Sequence, residues 1–288
     1  NATNLLQLQQ PMRLTASRHS NLAASFLGAT IPANTDGNTA LKLALDILFN
    51  HANVGPFVGR QLIQRLVTSN PSPAYVARVA KVFNDNGNGV KGDLKAVLRA
   101  ILLDDEAVTP GTALSATDYQ KFGKLREPVI RLSSILRAFG GKTASGRYPI
   151  HYINDVEYGI SQGPLQSPTV FNFYHPDFSP PGPVSTASAV APEFEITTTT
   201  AIASTQNFFG SVITASNGNN LYKQSGMGDF SGTCDSTNVQ DCIFSDLSDL
   251  YAIQGDTNAL FDYINLVMLG GALSPTNKAA LVASLDNR

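Results

Sequence analysis

The chain has 288 residues, a formal net charge of −2, and 15% charged against 43% hydrophobic residues. That length suits one large domain or two small ones. The balance excludes the clustered Lys and Arg that bind phosphate backbones, and no apolar run reaches the roughly 20 residues that cross a bilayer, so neither nucleic acid nor a membrane span is expected.

The first residue is Asn1, with no charged-then-apolar leader, as in a processed or partial product. Residues 1–37 read as a loop-rich N-terminal segment. Helical patterning follows, and residues 38–139 are expected to form a helical core. Thr39 is the expected cap of a helix over 41–49. A second helix carries Pro56 in its first turn, where a missing N–H costs nothing, then Phe57, Val58, Leu62, Ile63, Leu66 and Val67 at helical spacing. Asn70-Pro71 stops it. Ser72-Pro73 starts a third, with Tyr75, Val76, Val79, Val82 and Phe83 on one face. Asp93 caps a fourth, striped by Leu94, Val97, Leu98, Ile101 and Leu102. Short connections make these four antiparallel neighbours. A fifth helical region spans about Thr117 to Phe139, with a kink or restart at Pro128.

Residues 140–190 read as a long irregular segment rich in aromatics and proline. Its densest part is Gly163-Pro164-Leu165-Gln166-Ser167-Pro168-Thr169-Val170-Phe171-Asn172-Phe173-Tyr174-His175-Pro176-Asp177-Phe178-Ser179-Pro180-Pro181-Gly182. Proline fixes φ and removes donors, so this run takes a preset path that is neither helix nor central strand. Ordered irregular segments are where sites tend to sit. Residues 191–288 read as C-terminal helices around a Cys-containing loop. Ala191 to Thr214 is read as helix, although Thr197 to Thr200 favour a strand. Residues 215–243 are a Gly- and Ser-rich loop. Ser245, Asp256 and Ser274-Pro275 start three terminal helices, and Gly270-Gly271 ends the middle one. The expected fold class is mainly α: an irregular multi-helix bundle with long ordered loops and a disulfide-stapled loop, forming one globular unit.

Cys234 and Cys242, in polar surroundings, suggest a short-loop disulfide and an oxidising compartment. The alternative is two free thiols; without a nearby His they make no zinc site. Asn84, Asn86, Asn88 and Gly89 occupy the first, third, fifth and sixth positions of a calcium loop. Lys95 stands where that loop needs a bidentate Glu, so a tight turn is the plainer reading. No phosphate loop, dinucleotide fingerprint or nucleophile elbow occurs, and no cofactor or metal is expected. Glu193 and Glu195 are two apart and do not share a helix face. Arg60, Arg65, Arg126 and Arg131 lie on apolar helices, where structural ion pairs are expected. If a hydrolytic site exists, it gathers His175, Asp177, Arg126 and Glu127. If a glycan site exists, Phe173, Tyr174 and Tyr148 supply its stacking faces.

Several longer stretches resemble the bacterial "domain of unknown function 1800" family. They are His51 to Val76, Gly92 to Asp104, Gly123-Lys124-Leu125-Arg126-Glu127-Pro128-Val129, Ser167 to Tyr174 with Pro180-Pro181-Gly182, Ala191-Pro192-Glu193, and Leu269-Gly270-Gly271-Ala272-Leu273-Ser274-Pro275. Where the family commonly has Pro after the first motif's His, this chain has Ala52. The resemblance implies a C-terminal half of a longer, exported protein. It also implies gene neighbours in a second exported family ("domain of unknown function 1501"), which resembles alkaline phosphatases and sulfatases. It brings no established activity or catalytic residues.

The functional expectation is a secreted, periplasmic or cell-surface protein that is non-catalytic and works through another exported protein or a second copy of itself. The alternatives are an extracellular hydrolase around His175 and Asp177, and a cell-envelope or polysaccharide-binding module.

Overall fold

A computed structural model describes residues 11–148, 150, 153–214, 243 and 247–286. Helix predominates among them, and the chain divides into two compact units, Asn1–Gly123 and Lys124–Arg288. The boundary falls inside the 38–139 segment that reads as one helical core in the sequence.

The first unit begins with a small antiparallel hairpin within the segment expected to be loop. Its strands are β1 (Ala24–Phe26) and β2 (Ala29–Ile31), with Ala24 opposite Ile31. The turn residues Leu27 and Gly28 have φ of 51° and 77°, the positive pair that matches strand twist. Helix α1 (Gly37–Asn50) is capped by Asp36, whose side chain accepts from the N–H groups of Asn38 and Thr39. Thr39 is therefore inside the helix, not its cap. A hydrogen bond from the Thr39 side chain, aided by these backbone N–H groups, holds the Asp36 carboxyl below its ordinary range.

Helices α2 (Val54–Leu66), α3 (Pro73–Asn84) and α4 (Leu94–Leu102) follow. Ser72 and Asp93 cap α3 and α4 through their side chains, as their residue types predict. Ile63, Tyr75, Val79, Phe83, Val97 and Ile101 form the core of this unit. Gly55 and Gly59 present one face of α2 to α3: a Cβ at Gly59 would stand 3.1 Å from Val79 Cγ1, and one at Gly55 3.3 Å from the Ala80 carbonyl oxygen. These glycines are what let the two helices approach so closely. The end of α2 is tied to Gly123, whose carbonyl accepts from Ser69 N–H at 2.9 Å and whose N–H donates to Thr68 Oγ1 at 2.9 Å.

In the second unit, α5 (Pro128–Ala138) begins at Pro128 itself. The chain restarts here instead of kinking, because proline drives Glu127 out of the helical region, to ψ 145°. Glu127 provides no side-chain cap. Gln162 does so from a distance: its Oε1 accepts from Val129 N–H at 3.1 Å while its Nε2 donates to Glu127 Oε2. A 3₁₀ segment, Pro192–Ile196, precedes α6 (Thr199–Thr214), so the stretch read as one helix breaks at its β-branched threonines. A short helix (Ser248–Ala252), α7 (Thr257–Leu269) and α8 (Pro275–Asp286) complete the chain. Asp256 caps α7, and Gly270, left-handed at φ 60°, ends it. Leu132 and Ile135 of α5 meet Phe208 of α6, with Ile160, Ile243 and the partly buried Met268 of α7. Cys234, Cys242 and Ser245 lie outside the described residues.

Candidate functional site

The aromatic–proline run follows an irregular course pinned at several points. Leu165 and Asn172 hold left-handed φ of 61° and 73°. Thr169 and Asn172 form an isolated bridge. Ser179 Oγ donates to the Ala189 carbonyl at 2.8 Å, and Ala191 N–H donates to the Phe178 carbonyl at 2.8 Å. These bonds bring the run against the Pro192–Ile196 segment.

His175 and Glu195 meet there. The His175 backbone N–H donates to Glu195 Oε2 at 2.6 Å, and ring Nδ1 lies 2.9 Å from Oε1. A carboxylate offers acceptors alone, so Nδ1 carries a hydrogen, and in the neutral imidazole Nε2 is then the acceptor nitrogen. The Phe171 ring lies 5.2 Å from the imidazole, centroid to centroid. The imidazole is thus fixed in tautomer and orientation, the arrangement that precedes general-base chemistry when a nucleophile or water lies beside Nε2.

No hydrogen bond or ion pair joins His175 to Asp177, Arg126 or Glu127. Asp177 and Arg126 are exposed, and Glu127 is engaged with Gln162. The expected partner, Asp177, is replaced by Glu195, 20 residues further along the chain. Glu193 and Glu195 point different ways, as two residues do on a 3₁₀ turn of three residues. Glu193 faces inward to Lys124 Nζ at 2.7 Å.

Of the three aromatics expected to stack on a glycan, Tyr174 is 2% exposed and offers no open face. Phe173 is half-buried. Tyr148 is exposed, with its hydroxyl donating to the Gly141 carbonyl at 3.1 Å. The Asn-rich loop is organised by its own backbone. Asn86 Oδ1 accepts from the N–H of Asn88 and Val90, and Asp85 Oδ1 accepts from Gly87 and Gly89. Asn86 Nδ2 donates to Asp93, the main reason that carboxyl sits below its ordinary range. Asp85 and Asn86 thus each spend a side-chain oxygen within the turn, Asn88 enters it through its backbone N–H, and Asn84 is the last residue of α3. Among the described residues, no three His, Cys, Asp or Glu side chains gather as a metal-holding group.

Two apolar helix rows are open to solvent, which the sequence does not show. On α1, Leu41, Leu45 and Leu48 recur at helical spacing with exposures of 61%, 55% and 48%. On α4, Leu94, Leu98 and Leu102 form a second exposed row. The spacing alone identifies both stripes but does not tell a buried stripe from an open one.

The family described as "Protein of unknown function (DUF1800)" matches residues 4–288. No curated protein and no solved structure matches the chain.

Proposed function

We propose that this chain, which belongs to the DUF1800 family, is a non-catalytic protein that works by docking a partner on the open leucine stripe of α1. The observation that supports this reading is the exposure of Leu41, Leu45 and Leu48 along one helix face. Such a stripe normally faces a core, and a contiguous apolar patch in water marks an interaction surface. The partner is a second copy or another exported protein presenting a matching apolar face. Sedimentation tests the first, and residue-resolved cross-linking in the producing cells tests the second. In the Leu41→Ser/Leu45→Ser/Leu48→Ser variant, association should fall at least tenfold while helical circular dichroism is retained. A monomeric wild-type protein with no cross-link at α1 would sink the reading.

The low charge content and abundant polar uncharged residues support an exported location: secreted, periplasmic or on the cell surface. The Cys234–Cys242 disulfide belongs to the same proposal. Alkylation of native-source protein should label neither thiol before reduction and both after it.

The fixed imidazole of His175 supports a second reading, a hydrolase that uses Nε2 as its base. Any hydrolytic activity found should then drop by about 10²–10⁴-fold in His175→Ala, the usual worth of a positioned general base. Unchanged turnover removes this reading.

A further inference from the structure

Structural ion pairs were expected among the arginines of the apolar helices, and among the described residues Arg131 of α5 makes none. Its guanidinium has no hydrogen bond or ion pair among the described residues, and its Nε alone is sequestered from solvent. Burial therefore weakens its charged form, pulling its pKa down with nothing to offset the penalty. Guanidinium does not deprotonate in proteins, so the protein carries this partial desolvation, at Nε above all, with no counter-charge among the described residues.

Arg131 lines a cleft of about 580 Å³ in the second unit, together with Leu125, Phe194, Ile196, Ile202 and Phe209. That volume falls within the roughly 300–1,000 Å³ of small-molecule sites, which pair mostly apolar walls with a few placed polar groups. The apolar walls come from three elements: the residues before α5, the 3₁₀ segment and α6. Of the residues lining the cleft, Arg131 alone is charged.

We propose that this cleft binds an apolar monocarboxylate, such as a free alkanoate, with its carboxylate on Arg131 and its hydrocarbon chain against Phe194, Ile202 and Phe209. A single fork of donors matches a single carboxylate in geometry and charge. A phosphate would bring more charge and more acceptors than one guanidinium satisfies. A neutral apolar ligand would leave Arg131 as unmatched as it is now. The inference does not depend on docking at α1 or on chemistry at His175.

Titration calorimetry on the whole chain tests it, with sodium dodecanoate kept below its micelle-forming concentration. Dodecanoate should bind with one-to-one stoichiometry, butanoate at least tenfold more weakly, and dodecyltrimethylammonium not at all. Arg131→Met keeps the length and removes the charge. It should lower dodecanoate affinity at least tenfold without lowering thermal stability, because it removes a partly desolvated charge that has no partner among the described residues. Ile202→Glu changes an exposed position and sets an acid beside the ligand. It should abolish binding even if Arg131→Met were to fold poorly. Absence of dodecanoate binding to the wild-type chain, equal binding of the cationic detergent, or wild-type affinity in both variants would overturn the proposal.

Discussion

Replacing Lys124 with methionine is expected to destabilise the protein by about 3–5 kcal/mol, the usual cost of removing one partner from a buried ion pair. Lys124 Nζ lies 2.7 Å from Glu193 Oε1, and the two side chains are 14% and 2% exposed. The second carboxylate oxygen, Glu193 Oε2, is sequestered with no hydrogen-bond partner among the described residues. Without the ammonium, the carboxylate would be left 2% exposed, with no other ion pair among the described residues. Methionine preserves most of the lysine stem, so the loss comes from charge and not from packing. The double variant Lys124→Met/Glu193→Gln removes both charges and should recover part of the loss. Urea unfolding of the four proteins in the cycle gives the coupling directly, and a value of about 1–3 kcal/mol is expected. Strictly additive effects would show that the two groups act independently, and the argument from their burial would fail.

Lys124 and Glu193 also show where sequence reasoning reaches its limit. Ser72 before Pro73, Asp93, Asp256 and Gly270 were legible because each acts on its own backbone within a few residues. The core face of α3 was legible because helical spacing carries through to Tyr75 and Val79, whereas of the α4 stripe only Val97 and Ile101 are buried and Leu94, Leu98 and Leu102 stay exposed. Asp36 and Thr39 are both capping residues three apart, and local chemistry alone did not choose between them. The contacts of the second unit are of another kind. Glu195 reaches His175 across 20 residues, and Gln162 caps α5 across 33. Both contacts join irregular segments that have no period, so spacing does not reveal which side of the chain faces inward. Tyr174 illustrates this: it lies in a run of aromatics and prolines that looks like an open site, yet the path turns it into the interior. Arg131 lies on an apolar helix, where a structural ion pair is the ordinary expectation, and spacing does not show that no described carboxylate reaches it.

The Arg78→Met variant should lose about 2–4 kcal/mol at neutral pH, and the loss should shrink in acid. Arg78 bonds Asp104 through Nε at 2.7 Å and through Nη2 at 2.8 Å, and Nη2 also reaches Glu106 Oε1 at 3.0 Å. The Asp104 and Glu106 side chains are only 8% and 7% exposed, whereas Arg78 is 50% exposed. That exposure places the expected cost somewhat below the full range for a buried pair. Burial alone would raise the Asp104 pKa. The Arg78 hydrogen bond, the Glu106 backbone N–H and the Arg78 charge outweigh it, and the carboxyl sits below its ordinary value. A carboxyl whose folded pKa is depressed contributes stability above its unfolded pKa, and loses that contribution as pH falls through the folded value. Wild-type protein should therefore weaken on the acid side of the ordinary carboxylate range, about 3.9–4.3. Without Arg78, burial dominates at Asp104, so its folded pKa rises and protonation relieves the penalty. The difference between variant and wild type should then be largest at neutral pH and fall by at least half at the acid edge of that range. Urea midpoints measured across the interval decide the matter: a difference that stays constant with pH would mean that Arg78 acts through packing over the Tyr75 ring, 5.8 Å away, and not through the carboxylates.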